Sequence, residues 1–137
     1  MRKGVVTSRM SSGKNATGQI VLIVEDDAIA RAILDQYLRR AGFGTVLAGS
    51  GEQALNLLRD PSRAIDWLYT DIKLPGLVDG WVVGAEFHLG HPLRPIVYAT
   101  ADQRHSEART VRSLFIQKPF DPARVVDFFL GQIAAAG

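Results

Sequence analysis

The stretch IVLIVEDD, residues 20–27, decides the fold. Its first five residues are continuously apolar and largely β-branched, the pattern of a central parallel strand covered on both faces. Three acids follow at once: Glu25, Asp26 and Asp27. In a parallel sheet the C-terminal ends of the strands gather at one edge, where such folds place their ligands. Two more apolar runs end in charged chemistry. Residues 65–70 lead into Asp71, 45 residues beyond Asp26, and residues 114–116 lead towards Lys118-Pro119, 47 residues beyond Asp71.

Between these runs the chain alternates strand and helix five times. Ile29, Ile33, Leu34, Tyr37, Leu38 and Ala41 recur at helical spacing until Gly42 stops them. Residues 43–48 read as a second strand. Ser50 caps a second helix that Asp60-Pro61 breaks. Pro75, Gly76 and Gly80 make 72–80 a loop, with a short helix over 81–89 after it. A fourth strand over 96–99, a polar helix over 102–112, and a last helix opened by Pro122 complete the series. Regular alternation with right-handed crossovers predicts a three-layer α/β sandwich around a five-stranded parallel sheet.

Composition narrows the classes. A chain of 137 residues fits one domain with a full core, and 47 % hydrophobic with 22 % charged residues is ordinary for a globular protein. No apolar run approaches the roughly 20 residues of a membrane span. The start, MRKGVVTSRMSSGK, lacks the apolar centre of a secretory signal. Cysteine is absent, which excludes disulfides and thiolate metal sites and is compatible with the expected cytoplasmic location. Arg2, Lys3, Arg9 and Lys14 fall in the first 18 residues, which hold no acid; the remaining 119 carry 12 basic and 14 acidic side chains. The division expected is a flexible basic tail over 1–18 and a folded domain over 19–137. With no basic stripe on that domain, it is not expected to bind nucleic acid itself.

Carboxylates converging on one sheet edge repel unless a cation joins them. One acid suffices to cap a helix, and Asp27 before Ala28 suits that role. Glu25, Asp26 and Asp71 together exceed it and point to Mg²⁺, which takes oxygen ligands and commonly only one or two carboxylates directly. Asp26 and Asp71 are the expected direct ligands, Glu25 a water-mediated one, and the carbonyl of Lys73 a third protein ligand. Asp71 is then placed to attack a phosphoryl group, with Lys118 pairing with a phosphoryl oxygen. Thr100, at the end of the fourth strand, offers a hydroxyl donor. His88 and His91 have a loose metal-like spacing without a third ligand, and Trp67 and Trp81 read as packing residues.

The motifs VLIVEDD, YTDIKLPG followed by DGW, PIVYATA and FIQKPF, in this order over residues 19–133, resemble the receiver domains of two-component response regulators. The resemblance implies a flavodoxin-like (βα)5 fold and a domain that acts as a signalling switch, catalysing only its own phosphotransfer and dephosphorylation. It implies Glu25 and Asp26 as metal residues, Asp71 as phosphoacceptor, Thr100 as switch hydroxyl, Lys118 as phosphoryl contact and Phe115 as switch aromatic. Thr100 and Phe115 are expected outward before phosphorylation. A cis Lys118-Pro119 bond is expected as well. The implied partners are a histidine kinase or histidine phosphotransfer protein, a downstream protein, and in some members a second copy of the domain.

Two departures stand out. Val78 is an extra residue before Asp79-Gly80, and the separation of 18 between Thr100 and Lys118 is about four residues short of the family pattern, about one helical turn. The second falls on the face that docks outputs or dimerises. Rival readings are a receiver cut from a hybrid kinase or larger regulator and a binding-only relative. A phosphatase of the haloacid-dehalogenase type would need an acid where Lys73 stands. A flavodoxin would need a phosphate loop where Glu25-Asp26-Asp27 stands.

Overall fold

The computed structural model describes residues 16–102 and 113–136. Five parallel strands, β1 (Ile20–Val24), β2 (Gly44–Ala48), β3 (Trp67–Asp71), β4 (Val97–Thr100) and β5 (Leu114–Gln117), form one sheet in the order β2-β1-β3-β4-β5. This is the flavodoxin-like winding, and the order reverses between β1 and β3. The helices among the described residues are α1 (Ala28–Arg40), α2 (Gly51–Leu58), α3 (Gly80–Gly90) and α4 (Pro122–Ala136). The helix expected over 102–112 lies outside the described residues apart from Asp102.

Strand alternation divides the core in two. Val21, Ile23, Trp67, Tyr69, Val97, Ala99 and Ile116 face α1 and α4, where Leu34, Leu38, Val125 and Phe129 meet them. Leu22, Val24, Leu68 and Tyr98 face α2 and α3, against Ala54, Val83 and Phe87. Trp67 packs on Phe129 with centroids 5.8 Å apart, and Trp81 on Tyr98 at 4.7 Å, so both tryptophans are packing residues. Three of these helix starts have a local cause. Asp27 accepts the Ile29 and Ala30 amides, Ser50 accepts that of Gln53, and Asp79 accepts that of Val82.

The strands run further towards the site edge than their apolar runs suggest. Asp71 is itself the last residue of β3, opposite Ala99, and Thr100 pairs with Gln117. Backbone pairing continues through a polar residue as long as the neighbouring strand offers partners. The Ile72 amide donates to Ala99 O and the Lys118 amide to Thr100 O, at 2.9 and 2.8 Å. Of the tail expected over 1–18, residues 1–15 lie outside the described region, and the Thr17 amide donates to Gly42 O at 3.0 Å. No helix among the described residues is long and apolar enough to cross a membrane.

Candidate functional site

Parity explains which side chains meet. Glu25 follows Ile23 by two residues, Asp71 follows Tyr69 by two, and Lys118 follows Ile116 by two. All three therefore continue the α1/α4 face of the sheet, Asp71 as the last residue of β3 and Glu25 and Lys118 just beyond the ends of β1 and β5. The register Val24↔Thr70 sets Glu25 level with Asp71 at the point where strand order reverses. Lys118 Nζ stands 2.7 Å from Glu25 Oε1 and 2.7 Å from Asp71 Oδ1. Glu25 and Asp71 are 2 % and 3 % exposed, while Asp26 is open to solvent. The Lys118-Pro119 bond is cis.

Glu25 is the better satisfied carboxylate. It receives hydrogen bonds from Lys118 Nζ, from the Asp27 amide at 3.1 Å and, more weakly, from the Tyr69 hydroxyl at 3.5 Å. Neither buried oxygen of Asp71 has a hydrogen-bond partner among the described residues. The contact with Lys118 is an ion pair at close range without hydrogen-bond alignment. Burial pushes the Asp71 carboxyl up to about 8, with the neighbouring Glu25 adding in the same direction and Lys118 opposing. Burial also presses Glu25 upwards, but Asp71, the Lys118 ammonium and the Asp27 amide outweigh it and hold it below the ordinary value. Burial alone would lower the Lys118 pKa; the two carboxylates raise it.

This arrangement suits a small hard cation. One oxygen from each of Glu25, Asp26 and Asp71 lies within 4.8 Å of the others, the only such group of three potential ligands among the described residues. All donors are oxygen, and the unsatisfied buried oxygen of Asp71 is a ready ligand. These residues fit Mg²⁺. Asp26, Asp71 and Lys118 line an open depression of about 860 Å³, with Lys73, Thr100, Ala101 and Asp102 sharing the lining.

A pH dependence follows from Asp71. In the metal-free protein the folded state keeps a proton that the unfolded chain loses in the ordinary carboxylate range. The folded state thus binds more protons up to about pH 8, and stability falls as pH rises through that window. Glu25 acts oppositely, its contribution being lost as pH falls through the acid range. Urea midpoints of metal-free protein are expected to drop between about pH 6 and 8, and saturating Mg²⁺ to remove the drop.

The remaining expected residues are placed differently. Thr100 Oγ1 accepts the Asp102 amide at 3.0 Å, closing a turn on its own side of the depression. Phe115 is half-buried and stacks on Tyr98, with centroids 5.3 Å apart and planes 18° apart. Lys73 is exposed on the depression's rim. His88 Nε2 and His91 Nε2 bond to the Arg94 and Ile65 carbonyls, at 2.9 and 2.8 Å, so the histidine pair serves loop closure.

Two neighbours of the site had escaped the sequence reading. Tyr69, buried beside Glu25, has its pKa raised by burial and by the two acids, and it remains a neutral donor. Its position two residues before Asp71 was the available signal, since period two puts both on one face. Arg31 Nη1 donates to Glu25 O at 2.8 Å, bracing the acidic loop from α1. Nothing in its helical position distinguished it from a solvated arginine.

Carboxylates and a lysine gather at the switch point of a 2-1-3-4-5 parallel sheet, and the family this chain matches is that of the two-component signalling receivers, signalling modules rather than conventional enzymes. Residues 21–129 match the response regulator receiver domain family, and the chain belongs to it. It is similar to the DNA-binding transcriptional regulator NtrC of Klebsiella pneumoniae, 32 % identical over 102 residues. These are 74 % of this chain and 20 % of NtrC, so the chain spans about a fifth of that relative. A probable transcriptional regulator, ycf27 of Guillardia theta, is 36 % identical over 110 residues, 77 % of this chain and 42 % of that protein. Among solved structures, a response regulator receiver protein from Sinorhizobium medicae superposes with a TM-score of 0.78. It is 28 % identical, with 87 % of this chain and 97 % of that one covered.

Proposed function

We propose that this domain accepts a phosphoryl group on Asp71 in a Mg²⁺-dependent reaction and thereby switches a partner-binding surface. The observation that carries the reading is Asp71 itself: a buried carboxylate without a well-aligned hydrogen bond, beside two further acids and 2.7 Å from an ammonium. Such a group is expensive to hold in a fold that only needs a core.

In the reaction an Asp71 oxygen attacks phosphorus, the bond from phosphorus to the donor's imidazole nitrogen breaks, and that nitrogen leaves with the electron pair. Lys118 pairs with a phosphoryl oxygen; Asp26 and Asp71 would hold the cation directly and Glu25 through water, with the Lys73 carbonyl as third protein ligand. When bound, Mg²⁺ offsets the negative charge shared by acceptor and donor. Thr100 gives up its turn to Asp102 and donates its hydroxyl to the phosphoryl group, and Phe115 follows it inward, shifting a pre-existing equilibrium at the surface near β5. The donor is a histidine kinase or phosphotransfer protein of the cytoplasm, and the readout a downstream protein or a second copy. The same chemistry would serve a receiver within a hybrid kinase or larger regulator.

Intact mass after incubation with acetyl phosphate and Mg²⁺ tests this. One added phosphoryl group, lost without metal, is expected. No adduct, together with failure to bind beryllofluoride, would leave a binding-only module.

A further inference from the structure

The extra residue of the β3–α3 loop has a specific seat. Val78 lies over Gly51, the first residue of α2. A Cβ at position 51 would stand 2.3 Å from Val78 O and 2.7 Å from Val78 Cβ. Atoms do not approach so closely, so the loop reaches α2 only because residue 51 has no side chain. Next to it, Glu52 Oε2 accepts the Leu77 amide at 3.0 Å. Gly76, with φ +86°, turns the chain beneath the same carboxylate, where a Cβ would meet Glu52 Oε2 at 2.7 Å. The neck of the loop is closed separately, by the Gly80 amide donating to Ile72 O at 2.7 Å.

Residues 72–80 therefore form a small ring, tied at its neck to the end of β3 and at its tip to the first turn of α2. Lys73, Leu74 and Pro75 lie between the two ties and line the depression over Asp26 and Asp71. With both ends fixed and a proline in the span, a shift of the tip has few bonds over which to dissipate before it reaches Lys73.

We propose that Gly51 and Glu52 are positioning residues for the cation site: they hold the loop tip on α2 and so fix the Lys73 carbonyl and the rim above Asp26 and Asp71. The proposal rests on the reading of Glu25, Asp26 and Asp71 as a Mg²⁺ site. It makes α2, which contributes no ligand, part of what sets cation affinity. By linkage, Mg²⁺ binding then stiffens the seat of the loop on α2 to the same degree.

The test is a Mg²⁺ titration by calorimetry and by tryptophan fluorescence, Trp81 being the residue after the neck, beside urea denaturation without metal. Gly51→Ala is expected to weaken Mg²⁺ about fivefold and Glu52→Ala about twofold, below the roughly 10–100-fold typical of partners that touch a ligand directly. Deleting Val78 in the Gly51→Ala protein removes the clash and is expected to restore most of the affinity. Wild-type affinity in both single variants overturns the proposal, as does a Val78 deletion that rescues nothing. Lowered stability with unchanged affinity would show the contact to be structural only, which also overturns it. If Gly51→Ala does not fold, Glu52→Ala decides, because its side chain is exposed and outside the core. A wild-type protein that binds no Mg²⁺ is a different result: it removes the cation-site reading itself.

Discussion

Asp71→Asn is expected to abolish the phosphoryl adduct completely and, at the same time, to stabilise the metal-free protein by about 1–2 kcal/mol at neutral pH. The two effects have one cause. A carboxylate that can attack phosphorus must be anionic, yet here it is 3 % exposed, beside Glu25, with neither oxygen hydrogen-bonded. The ionised form therefore carries a desolvation and repulsion cost that an amide does not. The gain stays small because at neutral pH the carboxyl already escapes most of that cost by keeping its proton, and the amide forfeits the close contact with Lys118. Denaturation curves with and without Mg²⁺ separate the terms. Wild-type protein should rise with added Mg²⁺ through linkage, and Asp71→Asn much less, so the variant loses its advantage as metal saturates. A variant less stable than wild type without metal would mean that the Asp71 charge is well solvated by Lys118, and the strain argument fails.

Lys118→Met is expected to do the reverse. It leaves Glu25 and Asp71 facing each other without their shared ammonium. The loss should be about 3 kcal/mol, the lower end for breaking a buried pair, since the Lys118 side chain is 30 % exposed. The deficit should shrink as pH falls and the carboxyl pair gains a proton, and shrink again with Mg²⁺, whose binding the lysine no longer opposes. Phosphorylation by acetyl phosphate should be slowed even at saturating Mg²⁺, because the phosphoryl oxygen loses its cationic partner. Urea midpoints at pH 5.5 and 8 against wild type, with the adduct followed by mass, check both halves. An equal deficit at both pH values would point to lost packing by the lysine stem instead of lost charge compensation.

Most of the frame was legible because it rests on local signals. The apolar run at 20–24, the helical spacing from Ile29 to Ala41, and the caps at Asp27 and Ser50 are read from a few neighbouring residues, and each sits where expected. Strand limits were less legible. Asp71 and Thr100 end their strands as expected, held by pairing with Ala99 and Gln117, but β3 and β4 begin at Trp67 and Val97, later than the apolar residues 65 and 96 suggest. The acids and the lysine were singled out by standing where buried strands end. Tyr69 and Glu52 were not, because each acts through one hydrogen bond on a residue distant in sequence, nor was Arg31, whose bond to the Glu25 carbonyl leaves no mark in its helical position.

The sequence by itself determined the parallel α/β architecture, the edge at which chemistry collects, and the residue types that collect there. All of this follows from periodicity and from charge that cannot be buried without reason. Only the tertiary structure decided how the charge is apportioned: Lys118 held between two carboxylates, Glu25 hydrogen-bonded from several sides, Asp71 left with the poorly aligned lysine contact. It also decided that the added Val78 is seated against Gly51 instead of projecting into solvent. Those outcomes depend on strand order and on contacts across 25 to 93 residues of chain, and one-dimensional patterning carries no distance between such positions.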